Sequence, residues 1–340
     1  MKTWIALFAV LLAGCGKKTS GPGGSSVTLN GSGSTFQKSF QEVAIEGFGK
    51  ANPGITINYG GGGSGKGRQD FADLVTDYGC TDSPYKPDDK AKAKGGELLY
   101  VPILLGAITV SYNVDGLDTL QLSAETIAKI FQRDIQKWND PAIAADNPGA
   151  TLPDAGIVVA HRSDGSGTTH QFTMFLDAAA SGTWKLKSGS TVEWSADTQA
   201  GNGNGGVAQI IQSTKNSIGY VDLPDAKASG LKFAAVKNAA GKYIAPSAAA
   251  AQAAGDGVEI KDDLTFVSVN AKGEAAYPIT APTWCMVYTK PADKAKGAAL
   301  KKYFEFMVGD AQKLVPEIDY APLPKPLQDK ALAAVAKIQT

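Results

Sequence analysis

Histidine and cysteine are scarce in this chain. Its 340 residues include two His and three Cys. Two scattered imidazoles (His161 and His170) and no clustered thiols offer no frame for a zinc site. No metal or other cofactor is therefore expected. Net charge is also missing, since 33 Lys and Arg stand against 33 Asp and Glu. That balance gives no general attraction to a polyanion. There is also no basic run interleaved with aromatics, so nucleic acid is not an expected partner. Beyond the leader, no apolar stretch reaches the length of a membrane span.

The leader itself is informative. Lys2 precedes a short apolar run that ends in the small residues of Leu12-Ala13-Gly14-Cys15. This pattern predicts a secretory signal, too short to span a bilayer comfortably. Its ending resembles a bacterial lipoprotein signal, which makes residues 1–15 the leader and Cys15 the lipidated first residue of the mature chain. An ordinary signal cut nearby is the alternative. The Gly- and Ser-rich stretch 16–26 reads as a flexible tether, giving an anchored rather than a spanning molecule. The rest is long enough for two domains with real cores. Cys80 and Cys285 both fall in expected strands, and two readings stay open for them: buried free thiols or a disulfide.

The first part reads as βαβαβ, which favours an α/β fold. Val27–Asn30, Ile55–Tyr59 and Asp77–Thr81 are expected strands. Helical spacing runs from Thr35 to Phe48, with Ser34 or Thr35 as cap, and again through Phe71, Leu74 and Val75. Further strands are expected at Tyr100–Leu105, Ala107–Tyr112, Ile157–His161, Ser217–Val221, Ala275–Ile279 and Trp284–Tyr288. Helices are expected at Ala124–Phe131, Thr169–Ala180 and Lys294–Met307, after Val207, and after Pro326.

Four Gly- and Ser-rich segments stand out: Gly31–Phe36, Gly60–Gly65, Thr81–Ser83 and Arg162–Thr168. Three lead into expected helices, where free backbone N–H groups and the helix dipole favour anions. Arg162 offers a planar fork of donors at the end of a strand. Asp164, two residues on, can steady that fork or cap a turn. Ser166, Gly167 and Thr168 supply hydroxyls and N–H groups at a helix start. Plain helix capping is the competing reading for the two hydroxyls. Thr35, Phe36 and Ser64 stand at the other helix starts; the Phe36 ring reads as core and its N–H as the donor. Lys66 and Arg68 read as solvent-facing. The Gly201–Gly206 run lacks the frame of a dinucleotide fingerprint and reads as a loop and helix start.

Asp82 is the odd member. A carboxylate beside an anion is unfavourable unless the ligand carries a proton. Hydrogen phosphate carries one and sulfate does not, so an ionised Asp82 would admit the first and repel the second. The alternative is that Asp82 caps the turn at Ser83-Pro84.

Taken together, these segments resemble the phosphate-binding proteins of bacterial phosphate ABC importers, relatives of the class II periplasmic binding proteins. The resemblance rests on Gly31–Phe36, Asn58-Tyr59 with the glycines up to Ser64, Asp77-Tyr78-Gly79 with Asp82, and Arg162–Thr168. Lys137–Asp140 and Ile218-Gly219-Tyr220 are similar to family segments as well. Ser34, Gln37 and Lys66 depart from the usual pattern. The resemblance implies a two-lobed α/β fold with a hinge and an interlobe cleft: residues 27–108 and 275–340 in one lobe, 109–274 in the other. It implies that Thr35, Phe36, Ser64, Asp82, Arg162, Ser166, Gly167 and Thr168 hold inorganic phosphate, with Ser34 and Asp164 behind them. It further implies a monomer that docks on a membrane permease and sits in the periplasm or on the outer face of the membrane. Binding of another oxyanion (sulfate, molybdate, tungstate or arsenate) and phosphate sensing or scavenging are the alternatives. A hydrolase is disfavoured, because neither His161 nor His170 has a convincing acid partner.

Overall fold

A computed structural model describes residues 26–340. The expected leader, Cys15 and nearly all of the tether lie outside the described residues. The main sheet runs, in spatial order, through Ile55–Gly60, Val27–Gly33, Tyr78–Thr81, Thr280–Tyr288, Leu98–Asn113, Ser217–Asp222, Val158–Arg162 and Gln199–Gly201. One strand organises it. Leu98–Asn113 is 16 residues long and buried along nearly all its length. Its first part, Leu98–Ala107, pairs antiparallel with Thr280–Tyr288. From Ile108 to Asn113 it pairs instead with Ser217–Asp222.

Two strands had been expected here, broken at Gly106. The glycine does not break the strand; it admits two aromatic rings. A Cβ on Gly106 would lie 2.5 Å from the Phe36 ring and 2.8 Å from that of Tyr320. Three more expectations fail locally. Leu74 adopts a left-handed φ of 62°, so the helix Gly63–Ala72 ends early and leaves Leu74 and Val75 exposed. Residues 275–279 form no strand, and the chain rejoins the sheet at Thr280. The first helix begins at Lys38 with no side-chain cap, because the Ser34 hydroxyl is engaged elsewhere.

The helices follow their apolar faces. Lys38–Ala51 buries Phe40, Ala44 and Phe48, and Phe48 packs edge-on against Tyr303 of the helix Lys294–Val308. Ala124–Phe131 is capped by Ser123, whose Oγ accepts the Thr126 N–H, as expected. The tail ties into the central strand: Ala321 exchanges backbone hydrogen bonds with Leu105. Cys80 and Cys285 face each other in register on neighbouring strands as buried free thiols, their Sγ atoms 3.2 Å apart. No described helix is long and apolar enough to cross a membrane.

Close backbone approach sets the first half of the sheet. A Cβ on Gly67 would sit 2.5 Å from the Gly33 Cα and 2.5 Å from the Cys80 carbonyl oxygen. Gly67→Ala should therefore destabilise the fold by about 1–3 kcal/mol, despite alanine's higher helix propensity. Gly49, also helical, has nothing within 4 Å of an added Cβ, and Gly49→Ala should stabilise by about 0.5–1 kcal/mol. Denaturant unfolding of the two variants checks both signs.

Candidate functional site

The four small-residue segments meet at one place. Ser64, the second residue of the helix Gly63–Ala72, accepts the Asp82 N–H at 3.1 Å. Its own hydroxyl reaches Asp82 Oδ2 at 3.3 Å. Ser34 Oγ lies 2.7 Å from both Asp82 carboxylate oxygens, and the Phe36 N–H donates to Ser34 Oγ at 3.1 Å. From the other side comes the N-terminus of the helix Gly167–Ala179. A Cβ on Gly167 would lie 2.4 Å from Ser64 Oγ and 2.6 Å from Asp82 Oδ2. Only a glycine lets this helix start approach so closely.

Asp82 is not a turn cap. The Ser83 N–H donates to Thr81 Oγ1 at 3.0 Å instead. Its carboxylate faces the cleft and is 1% exposed. Burial pushes it above the ordinary carboxylate range, while Thr283, Ser34, the Arg162 charge and Ser64 pull it back.

Arg162 ends the strand Val158–Arg162 and is held on both sides of its fork. Nε and an Nη donate to Asp164 Oδ1 at 2.8 Å and Oδ2 at 2.6 Å, a bidentate geometry. The other Nη reaches Thr168 Oγ1 and Asn204 Oδ1, each at 3.3 Å. Burial works against the Asp164 carboxylate, but its bonds to Arg162 hold it below the usual range. Beneath them, Tyr220 stacks on Phe172 and its hydroxyl accepts the Arg162 N–H. Ser166 caps its helix by accepting the Thr169 N–H at 3.0 Å, so the capping reading holds for that lone pair. The cap leaves the hydroxyl proton free to donate.

Hydrogen bonds cross the cleft. Gly65 N–H donates to the Gly165 carbonyl at 2.7 Å. Gln171 Nε2 donates to the Asp82 carbonyl at 2.6 Å. Asn204 donates to Thr35 Oγ1 from its backbone at 3.2 Å and its amide at 3.3 Å. Of the expected residues, Ser34, Ser64 and Gly167 thus stand against Asp82, while Thr35, Arg162 and Thr168 meet at Asn204, with Asp164 behind Arg162.

Sequence reading missed three residues. Asn204 is the second residue of the helix Gly203–Ser213, within the run read as a loop and helix start but not as part of the site. Its one signal was an amide among glycines at a helix start. Gln171 precedes Phe172, Phe175 and Leu176, the expected inward side of its helix, and carried no signal of its own. Thr283 donates to Asp82 Oδ1 at 2.6 Å and lies in the strand Thr280–Tyr288, at a position between the two strands expected at Ala275–Ile279 and Trp284–Tyr288. Of the two basic residues read as solvent-facing, Lys66 is exposed and Arg68 is half-buried. Lys66 pairs with Asp70 at 2.8 Å on the surface, and Arg68 is spent on Thr81 Oγ1 and the Ser83 carbonyl.

Neither histidine builds a hydrolytic pair. His161 stacks on Trp194 and bonds the Arg162 carbonyl and Thr198 Oγ1. Among the described residues no group of three or more His, Cys, Asp or Glu is placed to hold a metal ion.

Donors from two parts of a divided sheet, converging on a small polar cleft, define a two-lobed α/β binding protein of the periplasmic-binding-protein type. A family model described as a PBP superfamily domain matches residues 18–311. The phosphate-binding protein PstS of Xylella fastidiosa (strain 9a5c) is 36% identical over 305 residues, covering 88% of this chain and 82% of that one. The chain belongs to the phosphate-binding proteins of ABC transporters, within the class II periplasmic-binding-protein family. Phosphate-binding protein PstS of Methanocaldococcus jannaschii is 35% identical, with 97% of this chain and 92% of that one covered. Among solved structures, a high-affinity periplasmic phosphate-binding protein (PfluDING) superposes with a TM-score of 0.75 at 21% identity, covering 90% of this chain and 93% of that one. A phosphate-binding protein from Stenotrophomonas maltophilia gives 0.74 at 18%, with the same coverage. At those identities the structures attest the fold.

His170 carries a pH prediction. Burial, then the nearby Arg68 and Lys86 charges, lowers its pKa from 6.5 to about 4. The unfolded chain therefore takes up a proton, as pH falls through 6.5, that the folded chain refuses. This contribution to stability is complete above pH 6.5 and is lost on descent towards about 4. His170→Gln should flatten the fall in unfolding free energy across that window, measured by denaturant titration at several pH values.

Proposed function

We propose that this chain binds inorganic phosphate outside the cytoplasm and delivers it, chemically unchanged, to an ABC-type permease. Membership of a family of binding proteins, and not of enzymes, supports this. The observation that carries it is the meeting of one buried carboxylate with donors from every side. Thr35 donates through its hydroxyl and N–H. Phe36 donates through its N–H, which exchanges Ser34 for the anion. Ser64 donates from the second loop. Arg162 supplies the positive charge, steadied by Asp164. Ser166, Gly167 and Thr168 donate from a helix N-terminus. Asp82, fixed by Ser34, accepts the ligand's proton. Sulfate has no such proton and meets the carboxylate with repulsion and an unpaired acceptor.

Residues 27–108 with 275–340 form one lobe in this reading, and 109–274 the other. The exchange of strand partners between Ala107 and Ile108 supports the division. So does the return of the chain beside it, where Ile108 N–H donates to the Ile279 carbonyl at 2.9 Å. Closing the lobes excludes water and strengthens each hydrogen bond to the anion. The closed monomer docks on the permease. A lipid on Cys15 and the tether after it keep the molecule at the membrane surface, supported by the Leu12-Ala13-Gly14-Cys15 ending.

Titration calorimetry with a panel of oxyanions tests the reading. Phosphate should bind with a dissociation constant of about 1 μM or tighter, arsenate should compete, and sulfate should not. Arg162→Met should weaken phosphate by about 2–5 kcal/mol. Sulfate binding as tightly as phosphate would overturn the assignment of Asp82.

A further inference from the structure

The hydrogen bond from Thr283 to Asp82 has its direction set from far inside the protein. Tyr78 and Tyr303 hydroxyls both reach Gln41 Oε1, at 3.2 Å and 2.9 Å. Gln41 turns its amide nitrogen to Gln37 Oε1 at 2.9 Å, with the sulfurs of Cys80, Cys285 and Met307 as longer-range neighbours. Gln37 in turn donates from Nε2 to Thr283 Oγ1 at 2.6 Å and to the Trp284 carbonyl at 3.3 Å. An amide nitrogen donates and cannot accept. Thr283 therefore receives from Gln37 and has a single proton to give. Asp82 Oδ1 lies 2.6 Å away; the competing Thr81 carbonyl is at 3.4 Å. Gln37, Gln41, Thr283, Tyr78 and Tyr303 are all fully buried, so bulk water does not compete for these groups.

The two Asp82 oxygens are thereby distinguished. Oδ1 takes the Thr283 proton, and Oδ2 faces the Gly167 helix start across the cleft. We propose that Thr283, oriented by the buried series Tyr78/Tyr303–Gln41–Gln37, is a specificity-determining residue, its fixed donation keeping Asp82 an ionised acceptor so that the cleft admits only oxyanions that bring a proton. This rests on the reading of Asp82 as the acceptor of the ligand's proton. Of the groups that oppose the effect of burial on Asp82, Thr283 comes first. The other charged or titratable groups that share a field with Asp82 are Arg162 and Arg68, the Cys80 thiol and the Tyr320 hydroxyl. The cations favour the ionised carboxylate as Thr283 does. Neither the thiol nor the phenol is charged at neutral pH, since burial raises both.

The test is titration calorimetry with inorganic phosphate and with sulfate across a pH series, on the full chain. Wild type should prefer phosphate, losing preference only as acid protonates Asp82. Thr283→Val should narrow the preference by about tenfold or more at neutral pH and move its loss to higher pH. Thr283→Ser, which keeps the donor, should restore the wild-type profile. Gln37→Met removes the group that orients Thr283 without touching Asp82. It should shift the profile in the same direction, and it decides the matter if Thr283→Val does not fold. Asp82→Asn separates the two levels. If Asp82→Asn abolishes the preference while Thr283→Val and Gln37→Met leave both preference and pH profile unchanged, the role of Thr283 is overturned. If Asp82→Asn itself leaves the preference intact, the reading of Asp82 fails first.

Discussion

A carboxylate buried among hydrogen-bond donors is the constraint on which the site depends. An isolated charge at the position of Asp82 would cost several kcal/mol. Here the hydroxyls of Ser34, Ser64 and Thr283 converge on it, and Arg162 opposes its charge from across the cleft. Four separate segments must be in place for that to hold. Thr81–Ser83 carries the carboxylate, Gly31–Phe36 and Gly63–Ser64 bring two hydroxyls, and the strand from Thr280 brings the third. The arrangement around Asp82 is thus inseparable from the packing of the first half of the main sheet.

Backbone proximity does the remaining work. Glycine at 33, 67 and 167 lets strand, helix and opposing helix start approach within distances no side chain allows. The same close approach puts the N-terminus of a helix against Asp82 and Ser64. The unbroken strand Leu98–Asn113 then joins the two parts of the sheet. Around Gly106 of that strand the rings of Phe36 and Tyr320 pack. Tyr320 places its hydroxyl between the Phe36 carbonyl and Asp222, so the Phe36 loop is tied to the strand Ser217–Asp222.

Much of the site was legible because its chemistry is local. Arg162, Asp164 and the Ser166–Thr168 helix start lie within seven consecutive positions, and each residue type announces its role. Thr35 and Ser64 announce themselves as polar groups among glycines, and Asp82 as a carboxylate between two hydroxyl residues at a strand end. Thr283 did not, because it lies 201 positions from Asp82 in a strand whose neighbours are all buried. A threonine there is indistinguishable from a β-branched core residue. Gln37 and Gln41 sat on the apolar face of a helix, where their pairing becomes visible only once Tyr78 and Tyr303 are brought to them. Gly106 misled for a related reason: its glycine serves two distant rings and not the local backbone. The Leu74–Val75 end of its helix turned on a left-handed residue that apolar spacing does not reveal.

The central claim is that Asp82 stays ionised and accepts a proton the ligand already carries. The most direct measurement is the number of protons exchanged on phosphate binding. It is obtained from calorimetry in buffers of different ionisation enthalpy, at a pH where inorganic phosphate is the monoprotonated dianion. The account predicts no net exchange, because the shared proton arrives with the ligand. Uptake or release of one proton per phosphate would show that Asp82 changes its own protonation on binding, and would contradict it.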